Sequence, residues 1–222
     1  MKKILYIVLA AFMLASCSKK TAPVTEVIGV NVGGGGPILE SLPTYQKKKD
    51  FRGVWIQTAW QDRYQKMSPN ECQAYLTKLV DDLYIVGFNA VIFQVRPEGD
   101  AFYESEYEPW SRFLTGQQGR TPDEDWDPLL FMIDECHARG MELHAWINPY
   151  RASLKGLDKS ALHYKHPYVR YPERFVDYDG MLIFNPALQL NRDYICSVVT
   201  DIVRRYDVDG LHIDDYFYPY PV

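Results

Sequence analysis

The sequence contains 222 residues, of which 24 are basic and 29 are acidic, and its formal net charge is −5. Because nucleic acids are bound by basic surfaces, this balance excludes nucleic acid from the expected partners. The four cysteines follow no zinc-binding spacing, and no glycine-rich phosphate loop follows the first predicted strand, so we expect neither a metal site nor a cofactor.

The N-terminus has the pattern of a bacterial export signal. Lys2 and Lys3 precede an apolar run from Ile4 to Leu14, which is too short to span a bilayer. The run ends in Leu14-Ala15-Ser16-Cys17, which resembles a lipobox. We therefore expect removal of residues 1–16, lipidation of Cys17 and membrane anchoring of a lipoprotein in the cell envelope, at the outer membrane or in the periplasm. The alternative is an ordinary signal peptide followed by a chance cysteine.

Residues 17–50 are predicted to be a flexible tether. They contain the run Gly33-Gly34-Gly35-Gly36-Pro37 and the basic run Lys47-Lys48-Lys49, without any periodic apolar pattern. Such a segment would hold the folded part of the protein, residues 51–222, away from the lipid surface.

The folded part alternates strands and helices. The predicted order is strand 51–58, helix 70–86, strand 89–96, helix 127–140, strand 142–148, helix 192–206 and strand 208–215. Alternation of this kind implies parallel strands joined by right-handed crossovers. The helix-to-strand links are short and the strand-to-helix links are long, which favours a barrel whose functional loops follow the C-terminal ends of its strands.

The number of strands sets a limit on this interpretation. A complete barrel of this type has eight strands and typically about 250 residues, whereas four strands are recognisable here. The sequence therefore predicts an α/β fold, specifically the N-terminal half of a TIM-type (β/α)₈ barrel. A half-barrel leaves sheet edges open, so we expect a fragment of a longer gene product, or else a half-barrel that dimerises.

The last predicted strand carries the strongest signal for chemistry. It ends in Asp214 and Asp215, and alternation places His212 and Asp214 on the same face. Sugar hydrolysis needs two carboxyl groups, one of them a proton donor and the other a nucleophile or general base. Asp214, kept ionised by Arg96 and His212, fits the second role, and Asp215 is the second candidate catalytic residue. An acidic pair that only caps the strand end is the structural alternative.

Further polar and aromatic residues follow the other strand ends. Those expected to contact the glycan are Arg96, His144, Trp146, Asn148, Tyr150, Arg151, His212 and Tyr216. Taken singly, each has a structural alternative: Arg96 would neutralise Asp214, and either histidine would be a hydrogen-bonded core residue. For the general acid the candidates are Glu98, Asp100, Glu104 and Glu106, or a residue from the missing half of the barrel.

Six ordered segments resemble the bacterial glycosyl hydrolase-like family 10 lipoproteins: Phe51–Trp55, Phe93–Pro97, Asp100–Tyr103, Tyr107–Ser111, His144–Arg151 and Asp209–Pro219. The resemblance implies a (β/α)₈ glycosidase in the cell envelope that acts on glycan strands such as those of peptidoglycan. The pattern Asp209-Gly210-x-His212-x-Asp214 is also similar to α-amylase-type barrels, in which an Asp in the place of Asp214 is the nucleophile.

Two other functions stay open at this point. The first is a non-catalytic glycan-binding lipoprotein, a relic half-barrel whose aromatic loops still hold sugars. The second is a metal-dependent hydrolase or deacetylase that uses His144, His212, Asp214 and Asp215, all of which are residue types that bind metals.

Overall fold

Six strands form two sheets in the computed structural model, which describes residues 50–214 except for the side chain of Asp125. The strands are Gly53–Ile56 (β1), Ala90–Arg96 (β2), Glu142–Ile147 (β3), Phe175–Tyr178 (β4), Met181–Phe184 (β5) and Gly210–Ile213 (β6). The larger sheet has the order β1-β2-β3-β6, and every neighbouring pair in it is parallel. The parallel α/β architecture expected from the alternation is therefore present.

Helices connect the strands of this sheet. They are Arg63–Lys66 (α1), Pro69–Ile85 (α2), Arg112–Thr115 (α3), Pro128–His137 (α4), Pro167–Arg170 (α5) and Gln189–Arg205 (α6). The three long ones, α2, α4 and α6, each lead from one strand of the sheet to its neighbour. Among residues 50–214, no helix is long and apolar enough to cross a membrane.

The sequence specifies where α2 and α4 begin. Ser68 and Glu71 form a reciprocal capping box, and Pro69 occupies the first turn, where a missing N–H costs nothing. Asp127 caps α4 by accepting hydrogen bonds from the backbone N–H groups of Leu129 and Leu130. Both starting points agree with the sequence prediction.

The hydrophobic core lies between the sheet and its helices. Apolar side chains of β2 and β3 such as Phe93, Val95 and Leu143 are fully buried, as are Leu76 of α2 and Met132 of α4. Burial of one such side chain contributes about 1.5–3 kcal/mol, so this layer holds the strand ends in fixed positions.

The long segment after β3 contains an antiparallel hairpin of β4 and β5, where the sequence analysis expected only a loop. Asp179 and Gly180 form its turn with φ angles of 50° and 78°. Two consecutive left-handed residues give the turn that matches the twist of a hairpin, and Asp-Gly is the favoured pair for it. The hairpin packs Leu182 and Phe184 into a second, smaller core with Ala152 and Leu162.

Several predictions fall outside the described residues. The signal segment 1–16, the lipidation site Cys17 and the tether lie before them, and Asp215 and Tyr216 lie after them. These remain predictions from the sequence.

Candidate active site

Amide hydrogen bonds join the C-terminal ends of all four strands of the large sheet. The side-chain oxygen of Gln94 on β2 accepts hydrogen bonds from the backbone N–H groups of Thr58 and Ala59, which follow β1, at 2.9 Å each. The side-chain nitrogen of Gln94 donates to the side-chain oxygen of Asn148, which follows β3, at 2.8 Å. Asn148 in turn donates to the backbone carbonyl of Asp214 at 3.1 Å. Since Gln94 and Asn148 are almost completely buried, this relay fixes the four strand ends relative to one another.

Asp214 is held at this edge by its backbone. Its N–H donates to the carbonyl of Ile147 on β3 at 3.3 Å, and its own carbonyl accepts from Asn148. The residue is partly exposed. Because the residue is not fully buried, its side chain can meet a substrate, and the catalytic role of Asp214 stays a prediction. Asn148 itself is fully buried and engaged on both sides, so the structure gives it a positioning role in place of the expected glycan contact.

An aromatic layer lies beneath this edge on the same face of the sheet. Trp146 of β3 and His212 of β6 pair in register, and both rings contact Trp55 of β1, with centroid distances of 4.8 and 4.2 Å. Trp55 is 47% exposed, whereas Trp146 is 7% exposed. The structure therefore brings two predicted site residues together and adds Trp55, which the sequence analysis did not single out.

His144 lies away from the edge. It is the third residue of β3, four residues before Asn148, which corresponds to about 13 Å along a strand. Its ring packs on Phe51 with a centroid distance of 5.2 Å and is hydrogen-bonded to Glu142 at 3.1 Å. The expectation that His144 contacts the glycan at the strand ends is thus corrected, and so is its place in a metal site with His212 and Asp214.

Arg96 forms a buried ion pair instead of contacting substrate or neutralising Asp214. Its side chain is completely enclosed, and Nε and Nη2 donate to the two carboxylate oxygens of Glu108 at 2.7 Å each. Nη1 donates to the backbone carbonyls of Asn148 and Pro149. A β-bulge between Gln94 and Arg96 places Arg96 opposite the core residue Ile147. The bulge shifts Arg96 off the face that Gln94 and Trp146 share, which explains the correction.

Tyr150 and Arg151 continue the chain after β3. Tyr150 packs against the second core beneath the hairpin, and its carbonyl accepts a hydrogen bond from the N–H of Phe184. Arg151 donates to the carbonyl of Pro97, and its guanidinium lies 5.8 Å from the ring centroid of Trp60, which follows β1 and is 59% exposed. Arg151 and Trp60 therefore offer a cationic and an aromatic surface at the strand ends, whereas Tyr150 is mainly structural.

Two candidate acids, Glu98 and Asp100, are completely buried in the loop after β2. Glu98 pairs with Arg112 at 3.2 Å and accepts a hydrogen bond from the N–H of Leu154. Asp100 accepts one hydrogen bond from the side chain of Gln118 at 3.1 Å, and its second oxygen has no partner among residues 50–214. Burial, reinforced by the negative charge of Glu98, raises the pKa of Asp100 to about 7.

We expect Asp100 to make stability depend on pH. The folded protein keeps a proton on Asp100 that the unfolded chain releases above about pH 4, so stability falls as the pH rises from about 4 to 7, by about 1.4 kcal/mol for each unit of pKa difference. Asp100→Asn, which is neutral at every pH, should remove this loss and unfold at higher urea concentration than the wild type at pH 7.5. Urea unfolding at pH 5 and pH 7.5 measures both slopes, and exposed Asp62→Asn is the control. Equal slopes in Asp100→Asn and the wild type would refute the assignment.

The remaining candidate acids, Glu104 and Glu106, are not fully buried and lie further along the same loop. Glu104 approaches Arg205 of α6 at 3.7 Å, and the backbone N–H of Glu106 donates to Asp201. Both side chains are open to solvent. The described residues therefore position one candidate carboxylate, Asp214, at the strand ends.

The sequence profile of the glycosyl hydrolase-like 10 family matches residues 50–222. The chain belongs to the glycosyl hydrolase-like 10 family. The match covers every strand and helix described above, so the resemblance of the six segments is confirmed as family membership.

Individual relatives agree with this assignment. The chain is 41% identical over 181 residues to glycosyl hydrolase YngK of Bacillus subtilis (strain 168), in an alignment covering 80% of this chain and 35% of YngK. It is 34% identical over 230 residues to glycosyl hydrolase DigH of Escherichia coli (strain K12), covering 95% of this chain and 51% of DigH. The chain thus spans between about a third and a half of the length of these relatives.

A solved structure supports the fold. Alpha-L-fucosidase isoenzyme 2 from Paenibacillus thiaminolyticus superposes with a TM-score of 0.50 and 16% identity, over 75% of this chain and 23% of the fucosidase. At this identity the likeness concerns the fold alone, and it relates the parallel sheet of this family member to the barrels of glycosidases.

Proposed function

We propose that this member of the glycosyl hydrolase-like 10 family is part of a cell-envelope glycoside hydrolase that cleaves a polysaccharide, with the glycan strands of the bacterial cell wall as the substrate class. The observation that carries the proposal is the position of Asp214: the residue is partly exposed, and hydrogen bonds of its backbone hold it at the edge where four parallel strands end. This is the place at which (β/α)₈ enzymes hold their reactive groups.

In this proposal the four-stranded sheet is one half of a barrel, and Asp214 is the nucleophile or general base. Asp215 contacts the substrate or supports Asp214. Trp60, Arg151 and the layer of Trp55, Trp146 and His212 line the substrate side. Because Glu98 and Asp100 are fully enclosed, neither can be a general acid in direct contact with the sugar. The lipid anchor at Cys17 would keep the enzyme at the membrane.

The test is product analysis with the full-length protein. Peptidoglycan sacculi, chitin and starch are incubated with it, and new reducing ends are quantified while mass spectrometry identifies the released fragments. Reducing ends from one of these polymers, absent with boiled protein, are the expected result. Polymer binding without any product would instead favour the non-catalytic alternative.

The metal-dependent alternative has a separate control. His144 is the third residue of β3 and lies away from the strand ends, where Asp214 is held. We therefore expect turnover to persist after prolonged treatment with a chelator. Loss of turnover on chelation, with recovery when a divalent metal is added, would favour a metal-dependent hydrolase.

A further inference from the structure

A cavity lies apart from the strand-end site, between the long loops that follow β2 and β3. Its volume is about 530 Å³, within the range of about 300–1,000 Å³ that small-molecule sites occupy. The side chains that matter for its chemistry are Trp110, Trp126, His163, Tyr164, Glu104 and Lys165. None of the described residues proposed above to meet the substrate lines this space, which we call the Trp110 cavity.

The Trp110 cavity has two walls, one from the loop after β2, which carries Trp110, and one from the loop after β3, which carries His163. The two walls contact each other at Gly119. The N–H of Gly119 donates to the carbonyl of Trp110 at 2.8 Å. Gly119 has a φ of +82°, and a Cβ atom there would lie 2.3 Å from Cδ2 of His163. Only glycine satisfies both conditions. The neighbouring Gln118 accepts a hydrogen bond from the N–H of His163 at 3.0 Å, so the wall carrying His163 is fixed relative to Trp110.

Trp110 is itself held firmly. The segment around it pairs with Ala101, whose N–H donates to the carbonyl of Pro109 and whose carbonyl accepts from the N–H of Ser111. The indole ring is partly exposed. An aromatic ring that is already held in place can bind the apolar face of a sugar ring at little cost in conformational entropy.

The second wall presents an exposed aromatic ring next to a hydrogen-bond donor. Tyr164 is 69% exposed, and its ring lies 4.3 Å from that of His163. Partial burial and the charge of Lys165 lower the pKa of His163, so the imidazole is neutral at pH 7. Its Nδ1 accepts the N–H of Lys165, which leaves the proton on Nε2 available for a hydroxyl or carbonyl oxygen.

Sugars and nucleic-acid bases can both stack on aromatic rings, and the charged residues of the cavity favour one of these ligand classes over the other. Glu104 and Asp127 are acidic residues of the lining, the Glu108 carboxylate behind them is paired with Arg96, and the whole chain is acidic. Nucleic acids also stack on aromatic rings, but their binding depends on neutralising phosphates with cations. A neutral, hydroxyl-rich ligand suits this lining better.

We propose that the Trp110 cavity is a carbohydrate-binding subsite that holds a segment of the glycan away from the bond being cleaved. The inference rests on the proposed function for the identity of the polymer, though binding in the cavity does not require catalysis. Binding there would lengthen the time for which a long glycan stays on the protein, and the cavity would take no part in the chemical step.

The test compares two exposed tyrosines in the full-length protein. Tyr164→Ala should raise the Kd for peptidoglycan sacculi, measured by co-sedimentation, by about 3- to 10-fold. This is the change in Kd that corresponds to the loss of one aromatic stacking contact. Tyr164→Phe keeps the ring and should bind like the wild type. Tyr84→Ala removes a similarly exposed ring (54%) from α2, outside the cavity, and should have no effect. Tyr164 and Tyr84 both lie on the surface, so all three changes should preserve folding.

The outcomes separate this inference from the proposed function. A Kd for Tyr164→Ala equal to that of Tyr84→Ala would overturn the subsite even if the protein releases reducing ends. A raised Kd in Tyr164→Ala would support the subsite even if no product is ever formed. Displacement of the protein from sacculi by poly(U) RNA through the same tyrosine would also overturn a carbohydrate site.

Discussion

Asp214→Asn is expected to lower kcat for glycan hydrolysis by the full-length protein at least about 10³-fold. The amide has the shape of the carboxyl group but carries no negative charge and is a poor nucleophile and base. The contacts that place residue 214 use its backbone N–H and carbonyl, which the substitution leaves unchanged. The variant should therefore fold and bind glycan normally while the chemical step is lost.

Two variants make this measurement specific. Asp207→Asn removes an exposed acid just before β6, at the opposite end of the strand from Asp214, and should leave kcat unchanged. Asp215→Asn tests the neighbouring acid, for which we expect a smaller loss in kcat. Initial rates of reducing-end release and thermal melting curves are recorded for all three. Turnover by Asp214→Asn at the wild-type rate would remove Asp214 from the mechanism.

Much of the framework was predictable because it depends on local patterns. The capping residues Ser68 and Asp127 determine where α2 and α4 begin, and the apolar runs of β2 and β3 identify buried parallel strands. Trp146 and His212, both predicted to contact the glycan, lie on one face, since they pair in register in the sheet. The sequence also contains a hairpin signal, Asp179-Gly180 between two apolar runs, which marks the turn between β4 and β5.

The placement of Arg96 was not predictable, because it depends on long-range geometry. One β-bulge in β2 moves Arg96 from the face of Gln94 to that of Ile147, and nothing in the local sequence marks the bulge. Its partner Glu108 lies in a loop 12 residues away, where it could have been any exposed acid. Alternation predicts shared faces only while the register is regular, and at the strand ends that carry function it often is not.

The buried ion pair leads to the largest expected effect on stability: Arg96→Met should lower the free energy of unfolding by about 3–5 kcal/mol. Burial would lower the pKa of Arg96, but the adjacent Glu108 carboxylate outweighs it and raises that pKa, so the arginine is charged. Removing it leaves Glu108 in a site with no solvent access, where a hydrogen bond from the Tyr194 hydroxyl is the one side-chain contact that remains to it within residues 50–214. Urea unfolding at pH 7.5, monitored by tryptophan fluorescence, gives the loss.

A double-mutant cycle assigns this loss to the unpaired charge and not to the missing side-chain volume. Arg96→Met with Glu108→Leu replaces both partners by apolar groups, so the double variant should be more stable than Arg96→Met alone. Arg120→Met breaks an exposed pair with Asp123, whose side chains are 55% and 69% exposed, and should cost less than about 1 kcal/mol. The single variant Glu108→Leu completes the cycle. If the losses in Arg96→Met and in Glu108→Leu simply add in the double variant, Arg96 and Glu108 contribute independently, and the loops after β2 and β3 owe their positions to packing.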